Sequence, residues 1–183
     1  HDHHILNIGL NYNFHKALSD GYNHSPQQHR ATIFAAYKIS TKNDIWVNSF
    51  RFREELVDGQ FISPAISMGS VWKFFKELRL KLQLSHNYRL PTFNDLYWDV
   101  LGNPNLKPEY SWNSELGIGL PFHINNYSIK AKITGFCNLI NNWILWTPDA
   151  LGYWRPDNID QVWARGIESN FQINAKWKKC HIK

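Results

Sequence analysis

The side chains of this chain that could do chemistry are concentrated in two irregular stretches. The first, RLPTFNDLYWDVLGNPNLKPE, covers residues 89–109, and the second, TPDALGYWRPDN, covers residues 147–158. Aromatic rings beside a single guanidinium suit a bulky, partly apolar ligand or a partner protein. A loop that packs only on itself is the alternative interpretation. The candidate ligand contacts in these stretches are Tyr97, Trp98, Asp149, Tyr153, Trp154 and Arg155.

The residue types do not indicate catalysis. The sequence has no Ser, His and Asp in a triad order, no carboxylate pair with a pocket and no phosphate-binding loop. We therefore predict neither an enzyme nor a bound cofactor. His1, His3 and His4 could hold a metal ion, but a short histidine cluster of this kind is more often a chance occurrence, and we predict no metal site.

The chain is mildly basic. Lys and Arg number 20 and Asp and Glu number 15, which gives a net charge of +5. The cations are spread along the sequence and do not form a patch that would follow a phosphate backbone. A nucleic-acid partner is therefore not expected.

The two stretches must be held by β-strands, because hydrophobicity alternates with a period of two along most of the chain. Residues 78–85 read LRLKLQLS, in which every second residue is apolar. About eight strands are predicted, with no helix between them, so neighbouring strands should be antiparallel. The clearest segments are 7–14, 78–85, 127–133 and 166–177, and the weaker ones are 30–39, 44–56, 60–72 and 111–120.

The predicted connections alternate in length. In an up-and-down meander, this alternation places the long loops at one end of the sheet and the tight turns at the other. The links at the first end, all long except the second, are 15–29, 57–60, 91–110 and 147–158. The links at the other end, all short, are 40–43, 73–77 and 121–126.

Alternation is compatible both with a soluble β-sandwich, whose apolar face forms a core, and with a transmembrane barrel, whose apolar face meets lipid. Long strands, the loop asymmetry and aromatic residues near strand ends favour the barrel. The sequence contains no run of about 18 apolar residues, so a transmembrane helix is not predicted. The aromatic residues that would form two interfacial girdles are Trp72, Phe74, Phe75, Tyr97, Trp98, Trp143, Trp146, Trp163 and Trp177.

The segment RLPTFNDLYWDVLGNPNLKPEYSWNSELGIG, at residues 89–119, resembles a segment of the barrel of TonB-dependent outer-membrane receptors. The motif has a strand end with Pro, Thr and Phe, then a Gly-Asn-Pro turn, then a returning strand with Trp, Glu and Gly. The resemblance implies that the motif shapes the rim of the barrel, with direct ligand contact as the alternative. The rim residues are Arg89, Pro91, Phe93, Tyr97, Asn103, Pro104, Lys107, Pro108 and Glu109.

A second segment, at residues 135–169, looks like the next hairpin of the same family. It carries the corresponding Asn158, Gly166 and Glu168 in its returning strand. Its sequence is most similar to cobalamin-transporting receptors of Bacteroidetes-type bacteria.

The resemblance implies an all-β fold, an antiparallel up-and-down transmembrane β-barrel, of which about eight strands are present here. Residues 1–183 would be part of one barrel domain, without the plug domain and the last strands. The implied function is active uptake of cobalamin or a ferric siderophore across the outer membrane of a Gram-negative bacterium. The implied partners are outer-membrane lipid, the plug domain, the TonB complex and a surface lipoprotein. A soluble β-sandwich binding module and a non-functional receptor remnant are the alternatives.

The motif also has a physical interpretation. Pro91 should end the pairing of one strand, and Thr92 should cap the turn that follows. Gly102 is expected to take a positive φ in a tight reversal, next to Pro104. The charges at Arg89, Asp95, Lys107, Glu109 and Glu115 could form lumenal ion pairs or remain solvated at the rim.

Overall fold

The computed structural model describes residues 2–74, 78–124, 126–177 and 180–182. In these ranges the chain forms one antiparallel sheet in which successive strands lie side by side. The strands are β1 (His3–Lys16), β2 (Gln27–Ser40), β3 (Trp46–Val57), β4 (Gln60–Phe61), β5 (Ala65–Lys73), β6 (Arg79–Arg89), β7 (Glu109–Ile124), β8 (Tyr127–Pro148), β9 (Trp154–Trp177) and β10 (Cys180–Ile182).

The sheet is an open wall whose edges are β1 and β10. Eight of its strands are long, which confirms the predicted number and the up-and-down order. β4 is a two-residue addition that pairs only with β3. β5 begins directly after Pro64, since a proline cannot donate a ladder hydrogen bond.

Two short helices correct the prediction that no helix lies between the strands. α1 (Phe93–Tyr97) lies in the loop between β6 and β7, and a 3₁₀ turn (Lys42–Asp44) lies between β2 and β3. Neither is long enough to show a hydrophobic period. No helix of the described ranges is long and apolar enough to cross a membrane.

The apolar face of the sheet is uncovered. Leu10 is 80% exposed, Ile8 67% and Ile167 80%, and the buried apolar side chains among the described residues are only those of Val57, Leu106, Ile144 and the two prolines Pro26 and Pro156. A soluble sandwich would bury this face against a second sheet, and the described chain forms only one. The sandwich alternative is therefore wrong, and the fold is part of the wall of a transmembrane barrel, with its apolar face toward lipid.

Opposite residues in the ladder share a face, so the polar face can be followed across the sheet. Asn7 opposes Ala36, which in turn opposes Arg51. Further along, Gln83 opposes Glu115. In a barrel this face lines the lumen.

The connections segregate as predicted. At one end they span residues 17–26, 58–64, 90–108 and 149–153. At the other end β2 and β3 are joined through residues 41–45, and the links from β5 to β6, from β7 to β8 and from β9 to β10 include residues outside the described ranges. The expected long loop at 147–158 is shorter, however, because β8 and β9 extend to Pro148 and from Trp154. The expected short link at 57–60 is longer, because it contains β4.

Aromatic side chains lie near the ends of the apolar face. At the short-turn end, Trp46 opposes Trp72, and the two are 51% and 50% exposed. Toward the long-loop end, Trp112 and Trp163 are similarly exposed. Two predicted girdle positions, Phe75 and the side chain of Trp177, lie outside the described part of the structure.

The two faces should respond differently to the same charge. Ile8 and Asn7 are neighbours on β1, both are exposed, and they point to opposite faces. We expect Ile8→Lys to lower the free energy of unfolding in lipid by about 2–4 kcal/mol, because it places an ammonium in hydrocarbon. Asn7→Lys is the matched control and should cost less than about 1 kcal/mol.

The measurement is urea titration of the full-length receptor in liposomes, followed by the mobility shift of the folded barrel on gels. Equal destabilisation by the two substitutions would contradict the assignment of the faces.

Candidate ligand mouth at the long-loop end

The loop at 90–108 is built around a capped single turn of helix. Thr92 Oγ1 accepts a hydrogen bond from the Asp95 backbone N–H at 3.2 Å. Asp95 Oδ2 accepts in return from the Thr92 backbone N–H at 2.9 Å. This reciprocal capping box fixes the chain directly after Pro91, as the motif predicted for Thr92.

Asp95 is also the point where this loop meets the neighbouring hairpin. Its Oδ1 accepts a hydrogen bond from Trp146 Nε1 at 2.8 Å, and Arg89 lies 4.0 Å from its other oxygen. Burial alone would raise the pKa of Asp95, but the hydrogen bonds from Thr92 and Trp146 and the charge of Arg89 together lower it. The carboxylate is therefore held ionised in a buried position.

An ion pair closes the base of the same loop. Arg89 Nε donates to Glu109 Oε2 at 2.8 Å, and a second nitrogen of the guanidinium bonds Oε1. Glu109 Oε1 also accepts from the backbone N–H of Ile144 at 2.7 Å. Of the two arrangements predicted for the five charges of the motif, the structure shows ion pairs for Arg89, Asp95 and Glu109, because a guanidinium fork matches a carboxylate in two places. Lys107 and Glu115 form no ion pair with the described residues.

Gly102 is needed for space and not for a left-handed backbone. The prediction of a positive φ was wrong, since in this loop Val100 takes that conformation, at φ 64°. A Cβ at Gly102 would lie 2.7 Å from the backbone nitrogen of Trp98 and 2.8 Å from the backbone oxygen of Leu96. The end of α1 therefore leaves no room for a side chain here.

The second half of the loop is fastened to the β8–β9 hairpin by Asn158. Its Oδ1 accepts from the Lys107 backbone N–H at 2.9 Å, and its Nδ2 donates to Lys107 O at 3.1 Å and to Asn142 O at 2.7 Å. Asn103 Nδ2 donates to the carbonyl of the buried Pro156 at 3.3 Å. The side chain of Asn158, a residue of the sequence motif, thus hydrogen-bonds to the backbone of the loop at Lys107 and to the backbone of β8 at Asn142.

The loop between β1 and β2 covers the other flank. Tyr22 packs edge-on against Trp98, with ring centroids 6.2 Å apart, and His24 packs against Tyr97 at 5.0 Å. The Asp99 backbone N–H donates to the carbonyl of Gly21 at 2.9 Å. Tyr97 and Trp98 therefore serve loop packing, although Trp98 remains 41% exposed.

The tip of the β8–β9 hairpin carries the other candidates. Asp149 Oδ1 accepts from the backbone N–H groups of Leu151 and Tyr153, and its Oδ2 lies 3.1 Å from Arg155 Nε. The hydrogen bond from Tyr153 is the main reason that the pKa of Asp149 is lowered. Asp149 and Arg155 thus shape the turn, while Tyr153 and Trp154 remain 56% and 58% exposed.

The predicted contacts form two groups at one end of the sheet. Tyr97 and Trp98 belong to the capped loop, and Tyr153 and Trp154 belong to the hairpin tip. Among the described residues no ring contact joins the two groups. The capped loop and the β8–β9 hairpin are instead connected by the hydrogen bonds of Asp95 to Trp146 and of Glu109 to Ile144. The rings of Tyr153 and Trp154 are the most available for a ligand.

A cluster that sequence reasoning missed lies on the lumenal side of this rim. Arg30 and Glu55 form two hydrogen bonds of 2.8 Å, and the Tyr88 hydroxyl bonds the same carboxylate. Arg53 lies 5.2 Å from the Tyr88 ring centre. A cavity of about 350 Å³ opens beside these residues, and Phe93 contributes to its wall. Alternation placed Arg30 and Glu55 on strands, but only the register brings them together.

The structure groups no three potential metal ligands in its described ranges. His1 lies outside those ranges, and His4 Nδ1 is hydrogen-bonded to the Tyr37 hydroxyl at 2.7 Å.

Removal of the Asp95 carboxylate should loosen the mouth. Asp95→Ala leaves Trp146 Nε1 and the Thr92 backbone N–H without their acceptor, which we expect to cost about 1–3 kcal/mol in local stability. The measurement is hydrogen exchange of the amides in residues 90–108. Asp99→Ala removes an exposed carboxylate from the same loop and is the control. Similar exchange in both variants would contradict the role given to Asp95.

The same carboxylate predicts a response to acid. Because its pKa is lowered in the folded protein, its contribution is present above the ordinary value of 3.8 and is lost as the pH falls through the lowered value. Amide protection of the loop should therefore decrease at acidic pH in the wild type. The decrease should be smaller in Asp95→Ala, and an equal decrease in both proteins would exclude Asp95 as its source.

Comparison with known proteins agrees with this architecture. A family model described as TonB dependent receptor-like, beta-barrel, matches residues 2–179. The vitamin B12 transporter BtuB of Vibrio vulnificus is 41% identical over 103 residues, which are 50% of this chain and 16% of that protein. The protein of the same name from Photobacterium profundum is 35% identical over 140 residues, which are 74% of this chain and 22% of that protein.

The solved structures share the fold at lower sequence identity. The crystal structure of the siderophore receptor PirA from Pseudomonas aeruginosa has a TM-score of 0.76 and 18% identity, and the match covers 92% of this chain and 33% of that one. The chain spans about a fifth of the length of the vitamin B12 transporters it matches. With the family model matched over nearly all of its residues, this chain belongs to the TonB-dependent receptor-like β-barrel family.

Proposed function

We propose that this chain is part of one barrel domain of an outer-membrane receptor that takes up vitamin B12. The observation that carries the proposal is the identity of 41% over 103 residues and of 35% over 140 residues with two vitamin B12 transporters. Energy for uptake would come from the TonB complex through a plug domain in the lumen. The Bacteroidetes-type origin remains a prediction.

In this proposal the rim has two kinds of residue. The Asp95, Arg89 and Asn158 contacts hold the loops in place, and exposed rings meet the ligand. Tyr153 and Trp154 project from a turn that is held by Asp149, so they offer apolar surface with little conformational freedom to lose on binding. Vitamin B12 is large and presents both an apolar ring system and amide side chains, which suits aromatic contacts flanked by polar groups.

The mouth also offers a surface for a partner outside the cell. Leu151 is 81% exposed at the tip of the same turn, beside Tyr153 and Trp154. A surface lipoprotein that delivers or covers the ligand would meet these residues first. This contact is secondary to ligand binding in the proposal.

The test is ligand binding by the full-length receptor in detergent. We expect cyanocobalamin to bind, and the double substitution Tyr153→Ala with Trp154→Ala to weaken binding about tenfold or more, the loss expected for two central aromatic contacts. Trp112→Ala is the matched control, because Trp112 is equally exposed but lies on the lipid-facing side. Isothermal titration gives the dissociation constants.

Binding of a ferric siderophore without binding of cyanocobalamin would replace the proposed ligand. Binding of neither would favour a remnant without transport function. Unchanged cyanocobalamin affinity in the double variant would remove the hairpin tip from the site while leaving the ligand in place.

A further inference from the structure

The apolar face carries a groove that the transport function does not use. It has a volume of about 620 Å³ and lies across β6 to β9. Its floor is formed where small residues meet on adjacent strands, since Ser114 opposes Cys137. Its walls are the large apolar side chains of the next row, Leu82, Leu116 and Ile167.

Gly135 keeps the groove open. It lies in the same row as Leu116 and Ile167, between these two large side chains. A Cβ built at Gly135 would meet nothing within 4 Å, so neither backbone nor neighbouring side chains close the space. A slot with apolar walls on a surface that faces lipid fits a hydrocarbon chain.

A cation lies beside this groove. Arg165 opposes Cys137 and therefore points to the lipid-facing side, where it is exposed. Its guanidinium carbon lies 4.0 Å from the centre of the Trp163 ring, and Trp163 Nε1 in turn contacts Cys137 Sγ at 2.9 Å. The ring thus fixes the guanidinium next to the groove, and in the described part of the chain no carboxylate forms an ion pair with it.

The depth of Arg165 matches a headgroup. At the short-turn end the ring of Tyr127 lies on the apolar face, and we take it to mark the membrane interface at this end. Its partner in the ladder is Ala175 on β9. Arg165 is 175 − 165 = 10 residues from Ala175 along β9. In a strand tilted by about 45° this separation rises about 23 Å, close to the height of about 25 Å of the apolar band of such barrels. Arg165 therefore lies at the edge of the hydrocarbon nearest the long loops.

We propose that the groove is a binding site for one membrane lipid with an anionic phosphate headgroup. One acyl chain lies between Leu116 and Ile167 over Gly135, and the phosphate pairs with Arg165. Charge complementarity favours an anionic lipid over a zwitterionic one, because the guanidinium has no protein counter-ion in the described structure. The site lies outside the lumen and so is separate from the ligand mouth.

The test is native mass spectrometry of the delipidated full-length receptor titrated with phosphatidylglycerol or phosphatidylcholine. We expect one phosphatidylglycerol to bind with higher affinity than phosphatidylcholine. Arg165→Gln should weaken phosphatidylglycerol about fivefold, the effect of one interfacial cation, and abolish the preference. Gly135→Leu should fill the groove and weaken both lipids.

Ala131→Leu is the control for Gly135→Leu, because Ala131 lies on the same face of β8, four residues nearer the short-turn end. It should leave lipid binding unchanged. Each variant is first checked for the gel mobility of the folded barrel, and Arg165→Gln gives the answer if Gly135→Leu does not fold. Unchanged phosphatidylglycerol affinity in Arg165→Gln would reduce Arg165 to a general interfacial anchor and overturn the proposal. Equal losses in Ala131→Leu and Gly135→Leu would overturn it as well.

Discussion

The constraint on which this structure depends is that backbone groups facing hydrocarbon have no water to bind. Each long strand is therefore paired along its length with its neighbours in sequence, and the side chains alternate between lipid and lumen without a packed core. Stability comes from the ladder and from the lipid around it. Irregular backbone is confined to the ends, where the chain leaves the hydrocarbon, and the specific polar contacts are concentrated there.

At the long-loop end, buried charge replaces hydrophobic packing. Asp95 joins a helix cap, an indole and a guanidinium, and Glu109 joins the same guanidinium to the backbone of β8. Each carboxylate has several donors, so neither is left as an unpaired buried charge. This network lets the rim keep its shape with few apolar contacts, and it frees the aromatic side chains at the hairpin tip for a ligand.

The fold could be predicted from the sequence because the period of two fixes both the strands and their faces. The rim motif was also local, since Thr92 caps a helix that includes Asp95. The contact between Asp95 and Trp146 was not predictable, because it joins residues 51 positions apart through the register of three strands. The loop at 147–158 was predicted too long, since Pro148 and Pro156 lie within the paired ends of β8 and β9, where Pro156 is opposite Trp146.

The order of strands in the sheet has a consequence for how such a wall changes in evolution. Every long strand pairs with the next long strand along the chain, so a hairpin makes no ladder contact beyond its two flanking strands. A duplicated or deleted hairpin would leave the register of all the others intact and would change only the circumference. The wall can thus be widened or narrowed two strands at a time. The loop at 90–108 and the β8–β9 hairpin contact each other, so we expect these two segments to be kept or lost together.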